Sequence, residues 1–461
     1  MHKILIPLFI LTLSTTALKA KTVVGIMDSG FDVTHQWLSN KIFENPFENP
    51  NGRDDDRNGA IDDIIGWNLI DNNDVLFDDS LRGKFPADVF KYYRLRAKKS
   101  LGTITPSELE WYQEKLKDEE FNKVRDGFTG FIHGTHVTGI ATSTEGIYSK
   151  FDIQFKPVVY LGYNENGLWI EPEFEPKPGL SGSKAINHIK SHFRRYTSWQ
   201  MRKLEAGIKL AEKQVQVING SFGKSYDGLL DNAQEVYEAQ FGKKPEEKIQ
   251  NELAQFFGNI LCTETEKVLS RYPHIVFTFS AGNAKDDNDV KPHYPSNARL
   301  DNVIAVGASK GHEERAYFSN FGAKTVDIFA PGLAIESSIP GDQINGDRTL
   351  QVNGTSQAAP YIANLAAKMI EKAKKYNVKL SVRDIKSIII ASVDKKPAMN
   401  EDSVSGGIVN PDRALFTVSL MRKMKLDKAI QTARIKVEDI QPLVKIDENA
   451  PALFLELPQA F

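Results

Sequence analysis

The chain has 461 residues, and its 58 Lys and Arg against 60 Asp and Glu leave a formal net charge of −2. That balance points to no nucleic acid or other polyelectrolyte partner, and 41% aliphatic and aromatic residues exclude a disordered, collagen-like or membrane-bundle chain. The length accommodates three ordinary domains or one large α/β domain with long insertions.

In chain order, His2 and Lys3 precede a mostly apolar run from Ile4 to Leu13 and then small or polar residues to Ala17. This is the layout of a secretory signal peptide over residues 1–20, too short for the roughly 20 apolar residues that span a bilayer. Export to the extracellular or periplasmic space is expected, with no membrane span. Only about seven residues separate Ala20 from Asp28, so no N-terminal pro-region is expected before the first strand.

The clearest strands are Thr22 to Met27, Val215 to Asn219, Ile275 to Ser280 and Val303 to Ala308. Each is almost continuously apolar, as a strand buried on both faces should be. Helical spacing appears at Leu204, Ile208 and Leu210, and again at Ile362, Leu365, Ala366, Met369 and Ile370, closing near Asn377. Such alternation predicts an α/β fold, a mostly parallel doubly wound sheet with helices on both faces. Insertions at about 41–130, 162–200 and 224–270 interrupt it, and residues 416–461 form a C-terminal extension. Insertions of that length carry structure or function of their own. The only Cys, Cys262, falls among Leu253, Phe257 and Leu261 and reads as a small buried hydrophobe.

Within the first insertion, Asp54, Asp56, Asn58, Gly59 and Ile61 follow positions one, three, five, six and eight of a helix-loop-helix calcium loop. Oxygen ligands at alternate positions around a Gly turn suit Ca²⁺. The expected ligands are Asp54, Asp56, Asn58, Asp62 and Asp63, holding a structural ion with no part in catalysis. Position twelve is Ile65 and not a bidentate Glu, so a solvated acidic loop is the competing reading.

Doubly wound sheets collect chemistry beyond the carboxyl ends of their strands. Four such places stand out. Asp28-Ser29-Gly30 ends the first strand with a carboxylate on a tight turn, which alone reads equally as a cap. Gly130 to Gly139 holds His133 and His136 among small residues; His133, at the mouth of the expected helix, is the better general base, and His136 the better packing residue. Zinc is disfavoured because no Glu follows the first His. Ala281-Gly282-Asn283 presents a carboxamide that can donate to a developing negative oxygen, or simply turn the chain. Gly354-Thr355-Ser356-Gln357 opens an Ala-rich helix, where Ser356 is a nucleophile or an N-cap.

In this order and with these neighbours, the four blocks resemble the subtilisin-like serine protease family, with Gln357 where that family has Met. The resemblance runs from about Val23 to Leu415. It implies a subtilisin-like fold and a serine endopeptidase acting on protein or peptide substrates, with no nucleic acid involved and a monomer expected. It implies a triad of Asp28, His133 and Ser356, with Asn283 completing an oxyanion hole. The backbone of Ser221, Phe222 and Gly223 would then line the pocket for the side chain before the cut bond. Asp, His, Ser is also the chain order of subtilisin.

Overall fold

The computed structural model describes residues 21–143, 151–162, 168–341 and 348–441. The expected signal segment and the end of the C-terminal extension lie outside these. The strands are β1 (Val23–Asp28), β2 (Trp67–Asn68), β3 (Gln154–Val159), β4 (Val217–Gly220), β5 (Val276–Ser280), β6 (Val303–Lys310), β7 (Glu314–Arg315), β8 (Ile328–Pro331), β9 (Ile335–Ser338), β10 (Thr349–Val352), β11 (Val393–Lys395) and β12 (Gly407–Val409). The helices are α1 (Ala87–Leu101), α2 (Pro106–Lys117), α3 (Glu119–Ala141), α4 (Gly182–Lys209), α5 (Tyr226–Phe241), α6 (Glu247–Leu269), α7 (Thr355–Tyr376), α8 (Val382–Ala391), α9 (Pro411–Leu420) and α10 (Leu426–Lys436).

The main sheet runs β11-β12-β8-β6-β5-β4-β1-β3-β2, with β7 added on β6, while β9 and β10 form a separate hairpin. From β2 to β12 every pairing along that path is parallel; β11 and β7 pair antiparallel. The chain moves from β1 to β3 on one side and then crosses to β4 on the other. That reversal opens a crevice at the carboxyl ends of β1 and β4.

Side chains alternate across the sheet with period two. Val24 and Ile26 of β1 pack with Val137 of α3 and Ile362 and Leu365 of α7, whereas Val23 and Met27 pack with Leu204 of α4 and Phe257 of α6. Each face is thus covered by its own helical layer, as the continuous apolar strands predict. Asp28 shares parity with Val24 and Ile26, so the last residue of β1 points toward α3 and α7.

Three expectations change at their edges. The helix carrying His133 does not begin there but at Glu119, capped by Asp118, whose side chain accepts from the Phe121 N–H. Phe121, Phe128 and Phe131 pack against Tyr92 and Tyr93 of α1, which extends the helix through Gly127 and Gly130. Residues 224–270, expected to interrupt the pattern, extend its core instead: α5 and α6 bury Leu229, Ala233, Leu253, Phe257 and Leu261 beneath the sheet. Position 415 falls inside α9, whose Ala414, Leu415 and Val418 share the core with α7.

Candidate active site

Asp28 is fully buried at the tip of β1, and its Oδ1 lies 2.7 Å from Nδ1 of His133. The backbone N–H of Ser29 donates to the same oxygen at 2.7 Å. What lets α3 come so close is Gly134. A Cβ there would stand 2.2 Å from the Gly30 carbonyl oxygen, so any larger residue would push His133 away from Asp28. Thr135 and Ser29 tie the two elements further: the Asp32 N–H donates to Thr135 Oγ1 and Ser29 Oγ to the Gly130 carbonyl.

Burial opposes a charged His133 ring, yet the charge and hydrogen bond of Asp28 outweigh it and hold its pKa above the ordinary imidazole value. An Nδ1–H directed at Asp28 leaves Nε2 as the free lone pair. His136, one turn further, is different in kind. It is fully buried, its Nε2 meets the Leu350 carbonyl at 2.9 Å, and burial lowers its pKa to about 4. It is a neutral packing residue. Gln357, next to Ser356, turns inward, with Nε2 3.5 Å from His136 Nδ1.

Ser356 is the second residue of α7, at the positive end of that helix. Pro360 sits four residues further and has no N–H, so the Ser356 carbonyl lacks its helical partner. Ser221 Oγ fills the vacancy at 2.9 Å. In return Ser356 Oγ donates to the Ser221 carbonyl at 3.2 Å. Ser221 Oγ in turn accepts from Asn219 Nδ2, whose Oδ1 accepts from Thr278 Oγ1, so a buried polar chain runs from the sheet to Ser356.

Asn283 Oδ1 accepts from both the N–H and the hydroxyl of Thr355, at 2.9 and 3.0 Å. Its oxygen is therefore anchored, although the residue itself is exposed. Of the three expected pocket residues, Ser221 is 2% exposed and the Phe222 ring packs at a tilt of 32° on Tyr160 with centroids 4.7 Å apart. Gly223 abuts His293. Beyond Gly223 lies a cavity of about 240 Å³ walled by Tyr160, Trp169, Tyr196 and Trp199, with Lys203 and Lys224. Insertion 162–200 supplies three of those rings. Burial pushes the Cys262 thiol up to about 12, which fits an inert side chain.

The acidic loop arranges itself otherwise than its sequence spacing suggests. Asp54 accepts from the Asn58 and Gly59 N–H groups and Asp62 from those of Asn51 and Gly52, so both carboxylates cap turns. Asn58 Oδ1 accepts from the Ala60 N–H while its Nδ2 donates to Asp63. The carboxylates that converge are Glu48, Asp56 and Asp63, all able to meet one ion. Asp63 also pairs with Lys156 at 2.6 Å, both fully buried. Glu48 Oε2, Asp56 Oδ1 and the neighbouring Gln214 Oε1 are buried with no hydrogen-bond partner among the described residues. Burial raises the pKa of Glu48 and of Asp63, the latter against the pull of Lys156.

A carboxylate bonded to an imidazole, a serine at a helix start and an anchored asparagine lie at the carboxyl ends of a mostly parallel sheet, the layout of a subtilisin-like fold. The Subtilase family model matches residues 19–408, and the chain belongs to that family. It is 43% identical over 109 residues to subtilisin-like serine protease Cur l 4.0101 of Cochliobolus lunatus, covering 24% of this chain and 20% of that protein. To cerevisin of Saccharomyces cerevisiae it is 45% identical over 91 residues, 20% of this chain and 13% of that one. The matched stretches thus span a fifth or less of these curated relatives' own lengths. Among solved structures, the A-subunit of the AB5 toxin from E. coli aligns at a TM-score of 0.48 and 15% identity, over 87% of this chain and 93% of that one.

Proposed function

We propose that this chain is an exported serine endopeptidase acting on protein or peptide substrates, with Asp28, His133 and Ser356 as its triad and Asn283 in its oxyanion hole. The Asp28–His133 contact of 2.7 Å carries the reading, because it fixes the tautomer that leaves Nε2 basic. Ser356 Oγ, resting on the Ser221 carbonyl, swings to Nε2 when a peptide carbonyl arrives. His133 takes the hydroxyl proton during attack and gives it to the leaving amine. The oxyanion is met by Asn283 Nδ2 and the Ser356 N–H, with the positive end of α7 behind them. Export rests on the layout of residues 1–20; no helix among the described residues is long and apolar enough to cross a membrane. Peptide hydrolysis by the full chain, and its loss in Ser356→Ala at unchanged melting temperature, tests this. A folded Ser356→Ala protein with full activity would contradict it.

Calcium belongs to the same reading as a structural ion. The three unpartnered oxygens of Glu48, Asp56 and Gln214 support it, since buried acceptors without donors suit a cation. Its ligands are then Glu48, Asp56 and Asp63, with Asp54 and Asp62 shaping the turn.

A further inference from the structure

At the carboxyl edge of the sheet, the chain leaves β4 as Ser221-Phe222-Gly223 and leaves the adjacent β5 as Ala281-Gly282-Asn283. Ser356 stands over the slot between these segments: its Oγ reaches the Ser221 carbonyl, and Thr355 beside it holds Asn283. On the proposed peptidase reading, with the scissile carbonyl carbon at Ser356 Oγ and its oxygen at Asn283, the side chain on the amino side of that bond would enter between the two backbones. Both carry a glycine there, which would leave the slot open.

His293 occupies it. A Cβ on Gly223 would stand 2.4 Å from His293 Cε1 and 2.8 Å from Nε2, and one on Gly282 would stand 2.9 Å from Cδ2 and from Nε2. One edge of a single imidazole thus lies against both walls, beside the Tyr294 carbonyl at Gly223 and Asn320 Nδ2 at Gly282, each 2.5 Å from the respective Cβ position. The residue is 4% exposed, and Nδ1 is fixed at 2.9 Å from the buried Ser296 hydroxyl. Burial also lowers the ring's pKa to about 4, so near neutrality it offers no charge to an acidic side chain.

We infer that His293 is a specificity-determining residue whose ring closes the slot between Gly223 and Gly282, restricting the residue before the cleaved bond to a small side chain such as Gly or Ala. The inference rests on the proposed peptidase reading. Packed interiors do not yield a ring's volume without cost, so a large side chain has to displace His293 or stay out.

The test uses the full chain and peptides identical except for Gly, Ala, Leu or Phe before the cleaved bond. The readout is the ratio of kcat/KM for Phe to that for Ala within one protein, so a change in total activity does not enter. The wild-type ratio should lie below about 0.1, and in His293→Ala it should rise by about tenfold or more, the scale on which pocket volume discriminates. A wild-type ratio near one overturns the inference even if the variant fails to fold. So does a folded His293→Ala protein, still labelled by a fluorophosphonate, whose ratio is unchanged; the label then leaves the triad standing. Wild-type protein that neither labels nor cleaves any peptide overturns the peptidase reading itself, and this inference with it.

Discussion

Ser221 and Ser356 hold each other reciprocally: Ser221 Oγ donates to the Ser356 carbonyl at 2.9 Å, and Ser356 Oγ donates to the Ser221 carbonyl at 3.2 Å. The first bond replaces the one that Pro360 cannot make and fixes the first turn of α7. On the proposed mechanism the second would hold the Ser356 proton on a neutral acceptor until His133 takes it. Ser221→Ala should leave the Ser356 carbonyl unsatisfied, lowering stability by about 1–3 kcal/mol, and should lower kcat more than it raises KM. Denaturant melts and steady-state kinetics check both; a variant equal to wild type in each would make the contact incidental.

The acid limb of kcat/KM should report His133. Asp28 raises its pKa against the effect of burial, so the midpoint should lie above the ordinary value of about 6.5. In Asp28→Asn the raising charge is gone and burial dominates, so the limb should move below that value while kcat falls about 10⁴-fold. The sign for stability is opposite to that for activity. A histidine with a raised folded pKa stabilises fully below its unfolded value and loses that contribution as pH rises through the folded one. A pH–rate profile with the same acid midpoint in both proteins would separate His133 from Asp28.

Asn283→Ala should lower kcat by about 10²–10³, a magnitude that comes from subtilisin itself and so is not independent of the family. Thr355→Val removes only one of the two bonds to Asn283 Oδ1, because the backbone N–H remains. Its loss should be smaller, with KM nearly unmoved. A larger loss in Thr355→Val than in Asn283→Ala would contradict the anchoring role.

In the acidic loop, Glu48→Gln combined with Asp56→Asn should abolish the rise in Tm that calcium produces, about 2.7 kcal/mol at roughly 100 times Kd. Asp54→Asn combined with Asp62→Asn should keep it while lowering Tm without calcium. Because burial raises Glu48 and Asp63, protons compete there early. The calcium response should fade as pH falls, beginning above the ordinary carboxylate values of about 4. Lys156→Met strands a buried Asp63 and should lower stability by about 3–5 kcal/mol. Equal Tm in calcium and in chelator would rule out the ion.

What the sequence displayed well were features set by local chemistry. The four long strands show because burial on both faces forces an apolar run, and Asn377 closes α7 in the left-handed conformation, with φ of 53°. Asp28, His133, Asn283 and Ser356 stand out because small residues flank them wherever backbones must approach, as Gly134 does to Gly30. What stayed hidden depends on partners far along the chain. Glu48 joins Asp56 and Asp63 only through a fold of the loop that its spacing does not encode, and Lys156 arrives from β3. Ser221 and Ser356 lie 135 positions apart, and His293 means nothing until Gly223 and Gly282 are side by side. The early start of α3 was hidden because two glycines interrupt its pattern, while aromatic packing on α1 sustains it.

Locating a serine-directed fluorophosphonate adduct by mass spectrometry on the folded wild-type chain tests the central claim most directly. The adduct should sit on Ser356 alone, form more slowly as pH falls through the His133 pKa, and be absent from Ser356→Ala and strongly slowed in His133→Ala. An adduct on another serine, or labelling of Ser356 at the same rate without His133, would contradict the account.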